Sequence, residues 1–211
     1  NRHGGPGIAC QGGTPLLHAV NLGSMLGNPN IYIKDERQNP TSSFKDRQAA
    51  VAIASYRNAG INELVVASTG NVAIAYSAFA ARSGMRLWAF LTSLVPSEKM
   101  REVAIYGTKV VKVTGTYDQA KQLAEQFAKT RNLALDLGSR SIPCVEGMKT
   151  LAFEICEQLS SPALYASKRS ENLSRAWIAP DWYFQSVSGG MGPLGVIKGF
   201  SELNQMSLIS Q

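Results

Sequence analysis

Nine residues near the start of the chain, Asn39-Pro40-Thr41-Ser42-Ser43-Phe44-Lys45-Asp46-Arg47, place a lysine where helix electrostatics oppose it. Asn-Pro favours a turn, and Ser43 with Asp46 three residues on has the spacing of a capping box. Lys45 then falls in the first turn of a helix, where the positive end of the macrodipole repels an ammonium. A lysine of lowered pKa is a nucleophile toward aldehydes, and a Schiff-base lysine needs that property. Taken alone, the segment also fits an exposed helix lysine bent out into water.

Two further junctions suit an anion. Ser68-Thr69-Gly70-Asn71 lies between a predicted strand and a predicted helix. Gly70 permits close backbone approach, and Asn71 is placed to cap the helix. The loop N–H groups suit a carboxylate or a phosphate, although an ordinary helix cap reads the same way. The second junction, Ser188-Gly189-Gly190-Met191-Gly192, precedes Pro193 at the natural first helical position. Its glycines let consecutive amides converge on one oxyanion. It is neither a Walker A loop nor a G-x-G-x-x-G fingerprint, and a glycine-rich hinge is the alternative. Gln11-Gly12-Gly13-Thr14-Pro15-Leu16 adds turn chemistry near the start.

The elements that must position these residues alternate. Strands are expected at 31–34, 63–67, 86–91, 109–113, 133–136 and 182–187. Helices are expected at 44–58, 72–83, 97–106, 117–130, 146–158 and 193–203. Such alternation, with glycines at helix ends, means βαβ units, a parallel sheet and an α/β fold. Parallel sheets bind ligands beyond the carboxyl ends of their strands, where both anion junctions fall. The polar segment 160–176 reads as a surface excursion.

Composition narrows the class. A chain of 211 residues, 45% hydrophobic and 17% charged, suits one larger domain or two small ones. No apolar run is long enough to span a bilayer, so a soluble protein with no membrane partner is expected. No signal peptide is visible, although the first residue is Asn1 rather than Met. The net charge of +6 is scattered along the chain, which argues against a nucleic-acid partner. Cys10, Cys144 and Cys156 are widely spaced with no C-x-x-C, which fits a reducing compartment and no structural zinc. Cys156 is expected in the core. His3 and His18 are the only histidines, so no histidine-based metal site or Ser-His-Asp triad is expected. His18 reads as a structural or surface residue.

The motifs N-P-T-S-S-F-K-D-R, S-T-G-N, G-G-T-P-L and S-G-G-M-G, in this arrangement, resemble fold-type II pyridoxal-phosphate enzymes, most closely the threonine synthase family. Y-G-T-K-V-V-K-V-T-G-T-Y-D-Q-A and V-E-G-M-K-T-L-A-F-E-I are similar to the same branch. The resemblance implies a two-lobed, tryptophan synthase beta-like fold with part of the C-terminal lobe lacking. Residues 1–47 and 143–211 would form the large lobe, and 48–142 a small βα domain. It implies pyridoxal 5'-phosphate as cofactor, with Lys45 as its Schiff-base lysine and as the acid/base that moves substrate protons. Phe44 and Asp46 would hold that helix. Asn71 would meet the cofactor's ring oxygen, and Ser188, Gly189, Gly190, Met191 and Gly192 its phosphate. Ser68, Thr69, Gly70 and Asn71 would grip the substrate carboxylate, with Arg140 and Lys149 also on the substrate side. Glu146 and Lys149 match an E-G-x-K-T motif beside the active site. The implied reaction is that of a carbon–oxygen lyase: O-phosphohomoserine and water give threonine and phosphate. A cytoplasmic homodimer acting on a small phosphorylated amino acid is implied as well.

Three departures from the family pattern bear on this. Gln11 stands where the family has glutamate in G-E-G-G-T-P. Cys144 stands where an arginine commonly helps to bind substrate phosphate, leaving Arg140 or Arg82 as substitutes. Family members also continue well beyond the equivalent of Leu203. The alternatives are a cysteate synthase, a threonine or serine dehydratase, or a non-catalytic remnant of the fold.

Overall fold

Along the chain run β1 (Leu16–His18), α1 (Val20–Leu26), β2 (Tyr32–Lys34), α2 (Lys45–Asn58), β3 (Glu63–Ala67), α3 (Asn71–Ser83) and β4 (Arg86–Thr92). They are followed by α4 (Ser97–Ile105), β5 (Lys109–Val113), α5 (Tyr117–Arg131), β6 (Ala134–Leu135), α6 (Ile142–Leu159) and α7 (Met191–Gln205). The computed structural model describes residues 11–68, 70–161 and 177–209. Cys10, His3, Thr69 and most of the excursion at 160–176 lie outside the described residues. Two units are distinguished: Asn1–Gln11 with Asn39–Gly147, and Gly12–Gln38 with Met148–Gln211.

The first unit carries a four-stranded sheet in the order β5-β4-β3-β6, every pair parallel. Leu64, Val65 and Val66 of β3 are all buried, the continuous apolar run expected of a strand covered on both faces. Ala120, Ala124 and Ala128 recur every fourth residue of α5, so they share one face. That face packs on Val65, Phe90 and Val113. In α2 and α3, Ala49, Ala50, Ala52, Ile53, Ala73, Ala75 and Ala80 are buried. The small side chains let these two helices pack closely together. The α5 start has a true capping box: Thr116 Oγ1 accepts the Gln119 N–H, and Gln119 Oε1 accepts the Thr116 N–H.

The second unit holds the antiparallel pair β1–β2, the helix α1, the later turns of α6, and α7. A Cβ added at Gly199 would lie 2.8 Å from both the Ala152 Cβ and the Lys149 carbonyl oxygen, so glycine sets the close crossing of α7 on α6. Cys156, Leu203 and Ile209 form a small core with Phe153, Trp177 and Phe200. Cys156 is therefore core, as its position on an apolar helix face implies. His18 is exposed: Nε2 bonds to the Pro29 carbonyl at 2.7 Å and the ring stacks on Tyr32.

Four local expectations are corrected. Residues 182–187 are not a strand: they are irregular, with Trp182 80% and Phe184 87% exposed. The alternating pattern survives, since Tyr183 turns inward against Phe200. A strand exists only through its ladder, however, and no described residue pairs with this one. The Ser43/Asp46 capping box does not form. Asp46 instead accepts the Thr41 N–H at 2.7 Å and the Thr41 hydroxyl, donors that the turn at Pro40 brings closer. Asn71 is not the cap of α3, because that place belongs to Gly70. Helix α6 begins at Ile142 rather than 146, since Pro143 is tolerated in a first turn. The short elements β1 and α1 add to the elements that the sequence pattern predicts. No helix among the described residues is long and apolar enough to cross a membrane.

Candidate active site

Lys45 is the first residue of α2, immediately after the N-cap residue Phe44. Its N–H donates to Ser43 Oγ at 3.2 Å, and its ammonium lies 4.3 Å from the centroid of the Phe44 ring. The side chain is half-buried, and burial lowers its pKa below the ordinary lysine value. Negative charge on Cys144 would act in the opposite sense, but burial holds that thiol protonated by raising its pKa to about 12. The next residues, Asp46 and Arg47, are fully buried, so the first turn of α2 is anchored on the side away from solvent. A Cβ at Gly147 of α6 would meet the Arg47 carbonyl, and would lie 3.0 Å from Gln48 Cα. Glycine at that position thus lets the first turns of α6 approach the lysine helix closely.

A polar cluster that no sequence motif announced sits in the same unit. Asp136 Oδ2 accepts the hydroxyls of Tyr76 at 3.0 Å and Tyr56 at 3.2 Å, and Oδ1 accepts the Gly138 N–H at 2.8 Å. Cys144 Sγ is 2.9 Å from the Tyr76 hydroxyl and 3.7 Å from Asp136 Oδ2. Burial, followed by the Asp136 charge, raises the pKa values of Tyr56 and Tyr76, so both phenols stay protonated as donors. Cys144 is thus a buried neutral thiol. Arg140, at the end of the Gly138–Arg140 turn, and Arg82, in the last turn of α3, are both exposed.

At the carboxyl end of β3 the loop reaches α3. Ser68 supplies the cap: its Oγ accepts the Gly70 N–H at 3.3 Å and the Ala73 N–H at 3.2 Å. Asn71 Oδ1 accepts from Lys99 Nζ at 3.2 Å. The Tyr117 hydroxyl donates to the Ala67 carbonyl at the strand end, 3.4 Å away.

In the second unit, Gly190 is the N-cap of α7 with φ +80°, in the left-handed region that favours glycine. No side chain caps this helix, and nothing lies within 4 Å of a Cβ built at Gly189 or Gly190. The first N–H groups of a helix have no intrahelical acceptor. Among the described residues, none accepts from Gly189, Gly190, Met191 or Gly192. The Lys149 ammonium is bound by both oxygens of Glu202, at 2.9 and 2.8 Å. The Gly12–Gly13 turn is fixed within this unit. The Gly13 N–H donates to Glu154 at 2.9 Å, and Lys34 pairs with Glu154 at 2.8 Å.

In the first unit a lysine of lowered pKa suits an aldehyde, and in the second unit an open nest of peptide N–H groups suits an oxyanion. The family model described as pyridoxal-phosphate dependent enzyme matches residues 9–209, and the chain belongs to that family. It is 34% identical over 203 residues to a threonine synthase of Methanocaldococcus jannaschii, covering 96% of this chain and 46% of the relative. It is 30% identical over 207 residues to a threonine synthase of Mycobacterium bovis, covering 98% and 52%. The chain spans about half the length of these curated relatives. Among solved structures it is similar to a pyridoxal 5'-phosphate-dependent aspartate racemase, with a TM-score of 0.74 at 25% identity over 93% of this chain and 55% of that one. The processed form of threonine deaminase isoform 2 from Solanum lycopersicum gives 0.71 at 22% identity over 91% and 48%, a likeness of fold alone. The fold is that of the fold-type II enzymes, threonine synthase-like, and the cofactor of the family is pyridoxal 5'-phosphate.

Proposed function

We propose that the chain carries the cofactor-binding and proton-transfer residues of a threonine synthase, a carbon–oxygen lyase converting O-phosphohomoserine and water to threonine and phosphate. The observation that carries this reading is the half-buried Lys45 at the start of α2, held below the ordinary lysine pKa by burial, in a chain whose relatives are threonine synthases. Lys45 holds the cofactor and then moves protons at Cα and Cβ of the substrate. Bound pyridoxal phosphate supplies an electron sink. Ser188 and the amides of Gly189, Gly190, Met191 and Gly192 hold its phosphate, Asn71 its ring oxygen, and Phe44 the lysine beside it. Ser68, Thr69, Gly70 and Asn71 grip the substrate carboxylate. Arg140 and Lys149 are the cations assigned to the substrate side. The division into lobes at 48–142 against 1–47 with 143–211, the homodimer and the cytoplasmic location belong to the same proposal and rest on the family.

A second reading is favoured by Cys144. A buried neutral thiol bound to Tyr76 and Asp136 offers a phosphate no charge, which suits elimination from an unphosphorylated hydroxy amino acid. Product analysis separates the two. The purified chain, loaded with pyridoxal phosphate, is given O-phosphohomoserine, O-phosphoserine with sulfite, or threonine. Threonine formed from the first supports the synthase. Turnover of threonine alone, to 2-oxobutanoate, would overturn it in favour of the dehydratase.

A further inference from the structure

Asp136 is a buried carboxylate that the proposed reaction does not use. It stands just after β6, at the carboxyl edge of the parallel sheet. Among the described residues, its side chain meets only donors: the Tyr56 and Tyr76 hydroxyls, the Gly138 N–H, and the Cys144 thiol at 3.7 Å. An ionised carboxylate only accepts, so it sets the direction of the hydrogen bonds around it. The Tyr76 hydroxyl has one proton and gives it to Asp136. Its 2.9 Å contact with Cys144 Sγ must then be supplied by the thiol proton. Cys144, Tyr76 and Asp136 thus form a chain of donors that ends on the carboxylate and keeps the sulfur protonated.

The position of the thiol gives this chain a consequence. A Cβ at Gly147 would lie 3.0 Å from Gln48 Cα, so α6 and α2 approach closely there. Cys144 is one turn before Gly147, and Lys45 is one turn before Gln48. Among the described residues, Cys144 is the one titratable group whose charge bears on the Lys45 amine, and a thiolate there would favour the ammonium. Around the sulfur stand Tyr56 of α2, Tyr76 of α3, Asp136 after β6 and Ser141 ahead of α6. The Ser141 hydroxyl favours the thiolate, but burial and the Asp136 charge oppose it and prevail. We propose that Asp136 is a positioning residue for Lys45: acting through Tyr76, it holds Cys144 as a protonated thiol and leaves the Lys45 amine without an anionic partner, ready to condense with an aldehyde. This role rests on the reading of Lys45 as the cofactor lysine.

The test reads the pH dependence of covalent trapping in the whole chain. Pyridoxal phosphate is added across a pH series, borohydride follows after a fixed short interval, and intact mass gives the fraction labelled. Condensation of the neutral amine with the aldehyde releases one water, and hydride from borohydride makes the bond permanent. In Asp136→Asn the amide has donors of its own, so Tyr76 turns its proton to the sulfur and the thiolate forms more readily. A nearby opposite charge raises the pKa of an amine by about one unit or more, so the trapping curve should move to higher pH by that amount. Adding Cys144→Ser, which keeps a donor but does not ionise, should return the curve to the wild-type position, and loss of fold alone would not be reversed in this way. Cys144→Ser by itself should leave the curve unmoved. A shift in that variant would show charge already on the thiol and overturn the proposal, whether or not Asp136→Asn folds. An unmoved curve in Asp136→Asn, or a shift that persists without Cys144, would overturn it as well. Labelling that survives in Lys45→Ala would instead overturn the lysine assignment, and the proposal with it.

Discussion

The heads of α3 and α7 are both glycine-containing helix starts, and they treat their amides in opposite ways. At α3 the protein consumes part of its own anion-binding capacity, because Ser68 Oγ accepts the Gly70 and Ala73 N–H groups. What remains for a ligand is shaped by side chains, with Lys99 holding Asn71. At α7 no side chain caps the helix, and the left-handed Gly190 leaves the loop amides without acceptors among the described residues. The first head suits a ligand that comes and goes, since its helix is capped whether or not the ligand is there. The second suits a resident anion, since only a bound group completes the cap.

The larger expected effect lies at α7. Gly190→Ala places a Cβ on a residue at φ +80°, which costs about 1–2 kcal/mol. With open space around the loop, the strain is shed by moving the amides. Retention of pyridoxal phosphate should weaken by roughly 5–30-fold, while the denaturation midpoint of the cofactor-free chain stays close to wild type. Titration of cofactor absorption, alongside urea denaturation, checks both halves of this expectation. The smaller effect lies at α3. Ser68→Ala removes the cap of that helix and should cost about 1 kcal/mol of stability in the cofactor-free chain. Cofactor retention should change little. If the two variants traded signatures, with Gly190→Ala lowering stability and Ser68→Ala releasing cofactor, the contrast between a self-capped and a ligand-capped helix would be wrong.

Much of the first unit was legible because its signals are local. The Ala120, Ala124 and Ala128 spacing gave α5 its buried face, and the apolar runs at 63–67 and 109–113 gave strands with their observed bounds. Errors came where a partner distant in sequence decides. The alternation at 182–187 resembles a strand, but no described segment forms its ladder. The Ser43/Asp46 spacing resembled a capping box, but Thr41 offers Asp46 nearer donors. By sequence Asn71 reads as the cap of α3, although the hydroxyl of Ser68 makes the bonds. At the candidate site, Lys45 and the glycine loop were visible as residue types at a telling spacing. Lys99 and Asp136 were not, because only the parallel order of the strands brings the loop after β4 and the end of β6 beside β3. Asp136 ended a short predicted strand, a weak signal that it would face the carboxyl edge of the sheet.

The central claim is that the amine of Lys45 carries the cofactor, and intact mass tests it most directly. The purified chain is incubated with pyridoxal phosphate, reduced with borohydride and weighed beside Lys45→Ala. Because burial lowers the lysine pKa, trapping should proceed below the ordinary lysine titration range. The wild-type chain should gain the mass of one reduced cofactor and Lys45→Ala none. Equal labelling of both chains, or no gain in either, would contradict the account.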